Sequence, residues 1–121
     1  MERRPADFQL SAAFGALSDA SRREMIRLLL QKPRRAGELA ERVAMSAQAL
    51  SRHLRVLRKA GLVSEQGVAN DARVRIYSVH ASAFEPVQHW MAQMENLWRR
   101  RLPSRATRKI RVAAADSSRE P

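Results

Sequence analysis

The chain has 121 residues, enough for one domain with a modest core, and it contains no cysteine, which excludes disulfides, thiolate metal sites and thiol catalysis. Its 23 lysine and arginine residues face 12 acidic residues, for a formal charge of +11 and an isoelectric point near 11.6, a balance that favours a nucleic-acid partner. Apolar runs are far shorter than the roughly 20 residues of a membrane span, and the N-terminus leads into no signal-peptide stretch, so we expect a cytoplasmic protein without membrane contact.

Charge and composition divide the chain near Pro103. Up to that residue there are 18 basic and 10 acidic side chains, and after it five basic and two acidic ones, so most of the positive excess belongs to the first part. Residues 104–121 are rich in Arg, Ala and Ser and poor in large apolar side chains. We therefore predict one folded domain over residues 1–103 and a basic, disordered tail over residues 104–121.

The first part begins with two predicted helices. Residues 7–17 place apolar side chains on one side of a helix. The start of the second helix is open, because Asp19 is a good N-cap and Ser21 begins a capping-box pattern with Glu24. Its end is expected before Pro33. The side chains that this helix should bury are Met25, Ile26, Leu28, Leu29 and Leu30.

Two further helices are predicted to follow, joined by a tight turn. The first covers about residues 36–43 and the second about residues 46–60, with Ala44-Met45-Ser46 between them. Ser46 is a good N-cap, and Gly61 is a good C-terminal stop. The residues of the second helix that recur at spacings of three and four, and should face the core, are Leu50, Leu54, Leu57 and Ala60.

After Gly61 the pattern becomes that of strands. Residues 62–65 and 74–79 are predicted strands, with a polar turn region over residues 67–73, and a last helix covers about residues 82–102. Two short helices followed at once by a hairpin are typical of a winged helix-turn-helix. The predicted fold is therefore mainly α-helical with a small β-hairpin, in the order α-α-α-α-β-β-α.

The helix over residues 46–60 has the two faces that a recognition helix needs. It carries no acidic residue, whereas a solvated helix face usually mixes both signs. Gln48 can pair bidentately with adenine and Arg52 with guanine, and the basic residues further along suit phosphates. Two hairpin arginines would reach the minor groove or nearby phosphates, although Arg75 could instead be an ordinary solvent-facing residue. The predicted DNA-binding residues are Ser46, Ala47, Gln48, Ser51, Arg52, Arg55, Arg58, Lys59, Arg73 and Arg75.

Three segments of the chain resemble the ArsR-type winged helix-turn-helix repressors. Leu17 to Leu29 (LSDASRREMIRLL) resembles their second-helix signature, and Gly37-Glu38-Leu39-Ala40 is similar to the start of their third helix. Met45 to Val63 (MSAQALSRHLRVLRKAGLV) resembles their recognition helix and the strand after it. The resemblance covers about residues 8–102. The Trp90 and Trp98 pair before Arg99-Arg100-Arg101-Leu102 is similar to the metal-independent, SdpR-like autorepressor branch.

This resemblance implies a homodimer built from the first and last helices. It also implies binding to an inverted-repeat operator near the protein's own promoter, and repression by exclusion of RNA polymerase. A two-fold dimer would place two recognition helices about 34 Å apart, one turn of DNA. The same apolar residues could instead form the core within one protomer. The predicted dimer-interface residues are Phe8, Phe14, Phe84, Val87, Trp90, Met91, Met94 and Trp98.

Several positions depart from the family pattern. The predicted third helix lacks the cysteine pair that many members use to sense metals, and the family's paired zinc ligands on the last helix are missing. A metal-responsive repressor with His and Glu ligands (His80, Glu85, His89 and Glu95 are the nearby candidates) stays as an alternative, although the prediction is no metal and no cofactor. Ala20 and Ala44 stand where Pro and Gly are common. His53 has no ligand partner at metal spacing, so we expect a structural hydrogen bond or a phosphate contact.

Two other classes of function compete with this interpretation. No nucleophile, phosphate-loop or zinc-protease motif occurs, so we do not expect an enzyme. A winged-helix module for RNA or protein binding is the remaining alternative, but few aromatic residues are available for stacking on single-stranded bases. The expected partners are double-stranded DNA and a second copy of the chain, and the sequence does not identify an inducer.

Overall fold

The computed structural model describes residues 5–101, and this part of the chain contains five helices and three strands. A mainly α-helical winged helix-turn-helix was predicted, and this arrangement is confirmed. The elements are α1 (Pro5–Leu17), α2 (Ala20–Gln31), β1 (Arg34–Arg35), α3 (Ala36–Arg42), α4 (Ala47–Lys59), β2 (Val63–Val68), β3 (Asp71–Val79) and α5 (Glu85–Arg101).

The described part of the chain divides into two compact units, and the division falls between Val87 and Gln88. The first unit contains α1 to α4, the sheet and the start of α5, and it holds every buried apolar residue of the described part. In the second unit, residues 88–101 continue α5, and all of them are exposed. The predicted domain boundary at Pro103 and the tail over 104–121 lie outside the described residues.

The core of the first unit is formed by one side of each helix from α1 to α4 and by the start of β2. Its buried apolar residues are Ala13, Ala16, Met25, Ile26, Leu28, Leu29, Leu39, Leu50, Leu54, Leu57, Leu62 and Val63. The expectation that Leu30 is buried was wrong, because its side chain is 64% exposed. Leu30 lies about 140° around α2 from the fully buried Met25, so it points away from the core.

Side-chain caps and one glycine set the ends of the central helices. Asp19 is the N-cap of α2 and accepts a 2.9 Å hydrogen bond from the Arg22 amide, which decides between the two predicted starts. Ser46 caps α4 in the same way through the Ala49 amide. Gly61 follows α4 with a φ of 76°, a left-handed conformation that glycine adopts without strain.

The three strands form an antiparallel sheet in the order β1-β3-β2. The predicted strands were too short, because β2 continues to Val68 and β3 begins at Asp71, which leaves only residues 69–70 as the turn. A register shift between Gly67 and Val68 accommodates the irregular pairing near the turn. The side chains near the turn are mostly exposed, so backbone pairing continues where the apolar alternation has stopped.

The strand β1 was missed because it consists of two arginines. Arg34 is nevertheless buried, with only 3% of its surface exposed, and pairs through its backbone with Tyr77. Its guanidinium donates to the Leu28 carbonyl, to the Gln31 amide oxygen and to the Glu38 carboxylate, at 3.1, 2.8 and 2.7 Å. A buried charge is tolerated here because each donor nitrogen has a partner.

The helix α5 begins at Glu85, three positions later than the predicted Ser82. A helix that began at Ser82 would need the residue at position 86 to donate to the Ser82 carbonyl, and Pro86 has no N–H. Proline is well placed in the first turn of a helix, where the amide has no partner in any case. Residues 81–84 form turns instead, with a 3.0 Å hydrogen bond from the Ala83 amide to the His80 carbonyl.

The turn between α3 and α4 contains the one non-glycine residue with positive φ in residues 5–101. Ala44 has a φ of 52°, in the left-handed region where a Cβ atom is strained. Hydrogen bonds from the Ala44 amide to Glu41 (3.3 Å) and from the Met45 amide to Ala40 (3.1 Å) hold this turn. The sequence already marked this position as one where related proteins carry glycine.

Ala44→Gly should therefore raise the free energy of unfolding by up to about 1 kcal/mol, since relief of left-handed strain outweighs the extra flexibility of the unfolded chain. Chemical denaturation measures this change. Ala49→Gly, within α4, is the matched control and should lower the same free energy by about 1 kcal/mol. A loss of stability in Ala44→Gly would contradict the argument from strain.

Candidate nucleic-acid interface

The helix α4 presents two opposite faces. Leu50, Leu54 and Leu57 are buried in the core, as the sequence predicted. Their burial turns the other side of the helix towards solvent, because residues three and four apart share one face. The predicted DNA-binding residues on α4 and its cap are all exposed: Ser46, Ala47, Gln48, Ser51, Arg52, Arg55, Arg58 and Lys59.

Arg22 links α4 to the helices before it. Its guanidinium donates to two carbonyls at the end of α1, those of Ala16 at 2.6 Å and Gly15 at 3.2 Å. A third nitrogen lies 3.3 Å from Nδ1 of His53 on α4. Since arginine can only donate, Nδ1 accepts this bond. The structure therefore gives His53 the structural hydrogen bond that we expected, and it orients α4 against α1 and α2.

Asp19 completes this junction. Its carboxylate caps α2, and the hydrogen bond from the Arg22 amide is the main cause that holds the pKa of the Asp19 carboxyl below its usual value. Its Oδ2 atom is 3.9 Å from Nδ1 of His53, beyond hydrogen-bond distance. Asp19, the N-cap of α2, thus lies beside His53, whose hydrogen bond with Arg22 holds α4 in place.

The exposed cations of α4 fall into two groups. Within residues 5–101, no carboxylate lies within ion-pair distance of Arg52, Arg55 or Lys59. Arg58, in contrast, is 2.7 Å from a carboxylate oxygen of Glu65 on β2. The side chain of Arg58 is half exposed, so that ion pair stabilises the fold only weakly but does fix a direction for the guanidinium.

The hairpin contributes its own cations next to this helix end. Arg75 on β3 is exposed, and its Nε lies 3.3 Å from the second carboxylate oxygen of Glu65. The Tyr77 hydroxyl donates to the same carboxylate at 3.3 Å. Arg73 is exposed near the turn, and its amide donates to the Asp71 carboxylate at 3.0 Å. The structure thus brings the end of α4 and the hairpin together at one acidic residue, Glu65.

Sequence reasoning missed Glu65. It is the only acidic residue between Glu41 and Asp71, and the arginines it contacts lie on a helix and on another strand. Its contact with Tyr77 follows from the β2–β3 register, in which the two residues are direct partners. The register depends on the turn length, and the sequence predicted a longer turn.

A protein metal site needs several ligand side chains grouped in space. Among residues 5–101, no three His, Asp or Glu side chains are grouped as metal ligands. His80 lies 3.4 Å from the Ser82 hydroxyl, and Glu95 forms an ion pair with Arg99. Absence of a metal requirement therefore stays a prediction.

No helix in this part of the chain is both long and apolar enough to cross a membrane.

The predicted dimer residues lie in two kinds of surroundings. Phe84 and Val87 are half-buried and pack against the core of the first unit. Phe8 and Phe14 are exposed on α1. In the second unit the exposed large apolar residues of α5 are Trp90, Met91, Met94, Leu97 and Trp98. Their role in a dimer interface stays a prediction.

Tyr77 reports on the surroundings of Glu65. The Glu65 cluster consists of Glu65 and the three side chains that contact its carboxylate, Arg58, Arg75 and Tyr77. Burial is the largest cause that raises the pKa of the Tyr77 phenol above its ordinary value of 10.0, and the negative charge of Glu65 and the hydrogen bond to it raise it further. Arg58 and Arg75 act in the opposite direction. Because the folded protein holds this proton more tightly than the unfolded chain, the resulting stability is present below pH 10 and is lost as the pH rises through the folded pKa.

Tyr77 is the only tyrosine, so tyrosinate absorbance follows it alone. We expect a titration midpoint above 10 in the folded protein and a lower midpoint in Glu65→Gln, which loses the charge that opposes ionisation. The urea-unfolded chain provides the reference. A folded midpoint at or below that of the unfolded chain would contradict the described environment of Tyr77.

Comparisons with known proteins agree with this geometry. Residues 19–65 match the family model "Bacterial regulatory protein, arsR family". The transcriptional repressor SdpR of Bacillus subtilis is 28% identical over 87 residues, which cover 72% of this chain and 93% of SdpR. The HTH-type transcriptional regulator Rv2034 of Mycobacterium tuberculosis is 30% identical over 90 residues, covering 74% of this chain and 78% of that protein.

A solved structure extends the likeness to the fold. The crystal structure of the ArsR family transcriptional regulator RHA00566 superposes with a TM-score of 0.71 at 28% identity, covering 84% of this chain and 100% of that one. The resemblance predicted from the sequence is confirmed. Proteins of this fold and family are DNA-binding regulators, which are generally not enzymes. The chain is a DNA-binding transcriptional regulator and belongs to the arsR family of bacterial regulatory proteins.

Proposed function

We propose that the protein is a homodimeric repressor that binds an inverted-repeat operator, with α4 in the major groove and the hairpin against the neighbouring backbone. The observation that carries this proposal is the exposed face of α4, on which Arg52, Arg55 and Lys59 meet no carboxylate within residues 5–101. Unpaired guanidinium and ammonium groups on one helix face are available to phosphates and base edges. SdpR is named a transcriptional repressor, which supports the same role here.

The position of each polar or basic residue along α4 determines whether it lies closer to base edges or to phosphates in this proposal. Gln48, Ser51 and Arg52 lie in the first half of the helix, the half that a recognition helix turns towards base edges. Arg55 and Lys59 lie further along and suit the backbone, as do Arg58 and the hairpin residues Arg73 and Arg75. Ser46 and Ala47 begin the helix, where amides and a hydroxyl favour a phosphate.

A second copy is the partner that best fits the apolar surface of α5. Trp90, Met94, Leu97 and Trp98 recur at spacings of three and four, so they form one stripe. Met91, Met94, Glu95 and Trp98 line an open depression of about 310 Å³. Contiguous exposed apolar residues mark interaction surfaces, and an isologous contact would bury the stripes of two protomers together.

The proposal is tested by selecting a duplex from a random-sequence library and measuring fluorescence anisotropy against that duplex and a scrambled one. We expect preference for the selected duplex, a two-protomer stoichiometry and a two-fold symmetric sequence. Single-stranded RNA of the same sequence serves as competitor. Preference for the RNA would favour the RNA-binding alternative and overturn the proposal.

Arg52→Ala should weaken binding to the selected duplex by about 1–3 kcal/mol and hardly affect the scrambled duplex, because a base contact carries sequence information. Arg55→Ala is the matched comparison. It should weaken both duplexes alike and reduce the salt slope by about one, because a phosphate contact carries none. Equal effects of the two variants on both duplexes would show that Arg52 does not read a base.

Trp98→Ala should shift the protein from dimer towards monomer, because the 51% exposed indole would become buried between protomers. Sedimentation equilibrium measures the change. Leu30→Ala, which truncates an exposed apolar residue on α2, is the control and should leave the dimer intact. A wild-type protein that sediments as a monomer would remove the dimer from the proposal.

A further inference from the structure

Glu65 places a negative charge within the surface proposed to face DNA. Its carboxylate is 2.7 Å from Arg58 Nη1 and 3.3 Å from Arg75 Nε, and only 17% of its side chain is exposed. A carboxylate beside DNA repels phosphates and neutralises part of the positive charge that attracts them. An uncharged residue at position 65 would give a higher affinity for DNA of any sequence.

The hairpin is shaped so that Arg75 can reach this carboxylate. Gly67 on β2 is the direct cross-strand partner of Arg75. A Cβ atom at Gly67 would lie 3.1 Å from Arg75 Nη1, so the guanidinium occupies the space above the glycine. Glu65 lies two residues before Gly67 on the same face of the strand, where it receives Arg75 diagonally. Tyr77, directly opposite Glu65, donates to the carboxylate from the other side.

We propose that Glu65 is a positioning residue for sequence-specific DNA binding: it ties the end of α4 to the hairpin through Arg58 and Arg75, and so sets where both guanidinium groups meet the DNA backbone. This inference rests on the function proposed above. Phosphate contacts determine the register and orientation of a protein on the duplex. A fixed spacing between the helix end and the hairpin therefore favours the one register in which Arg52 and Gln48 reach their bases.

The Glu65 carboxylate weakens the attraction to DNA of any sequence, but it increases the preference for the correct sequence. Without the carboxylate, Arg58 and Arg75 would each follow the nearest phosphate, and the hairpin could approach DNA of any sequence. With the carboxylate, both cations are held in one arrangement, which lowers the conformational freedom lost on binding to the correct site. Glu65 thus acts through Arg58 and Arg75 and need not touch DNA.

The test compares Glu65→Gln with the wild type on the selected and scrambled duplexes over a range of salt concentrations. We expect tighter binding to the scrambled duplex and a salt slope steeper by about one, because a negative charge has been removed. The ratio of the two affinities should fall on the order of tenfold, within the coupling range of residues in one ion-pair network. Glu24→Gln is the matched control, since it removes an equal charge and releases Arg27 on α2. It should leave the affinity ratio unchanged.

A second variant separates position from charge. Glu65→Asp keeps the charge but retracts the carboxylate by about 1.5 Å, which breaks the contact with Arg58. It should lower the affinity ratio while the salt slope stays close to that of the wild type. In an Arg58→Gln/Arg75→Gln background, Glu65→Gln should change the affinity ratio little further, since the groups through which it acts are absent.

The outcomes distinguish this inference from the proposed function. A wild type that binds every duplex equally would overturn the proposed function, and the positioning role with it. A wild type that discriminates, with the same ratio in Glu65→Gln as in Glu24→Gln, would overturn the positioning role alone. Circular dichroism verifies, without DNA, that Glu65→Gln is folded, and the tyrosinate titration of Tyr77 reports the loss of the negative charge beside the phenol.

Discussion

The burial of one leucine stripe on α4 is the constraint on which the interface depends. Leu50, Leu54 and Leu57 are buried in the core of the first unit, and the helix cannot rotate without exposing them. Burying a leucine is worth about 1.5–3 kcal/mol, far more than any single surface ion pair. Hydrophobic packing therefore orients the helix, and the exposed face that carries Arg52 and Arg55 follows from that orientation.

Arginine has three different roles in this structure, and the net charge of +11 does not distinguish them. Arg34 is buried and joins α2, β1 and α3 through three hydrogen bonds. Arg22 links the end of α1 to His53 on α4. Arg52, exposed on α4, is available to a polyanion. A basic composition thus includes cations that build the fold, and only the remaining ones can serve the interface.

Glu65 shows how a single acidic residue can matter on a basic surface. It contacts cations from α4 and β3, and the tyrosine opposite it shares the carboxylate. Surface ion pairs contribute little to stability because solvent screens them and long side chains lose freedom. Their geometric effect persists, however, since a guanidinium held at one place meets a ligand at one place.

Local patterns in the sequence determined the helices, the caps at Asp19 and Ser46, the buried face of α4 and the family resemblance, because periodicity and capping act between residues close in the chain. Ala44 has a strained backbone, and the family resemblance had already indicated this position as one where glycine is common. Tertiary structure alone decided the pairing of β1, the short hairpin turn and the contacts of Glu65. The register of β2 against β3 and the path of the chain around Arg34 bring together residues distant in sequence. No local pattern encodes such contacts, because each depends on which partner the rest of the fold supplies.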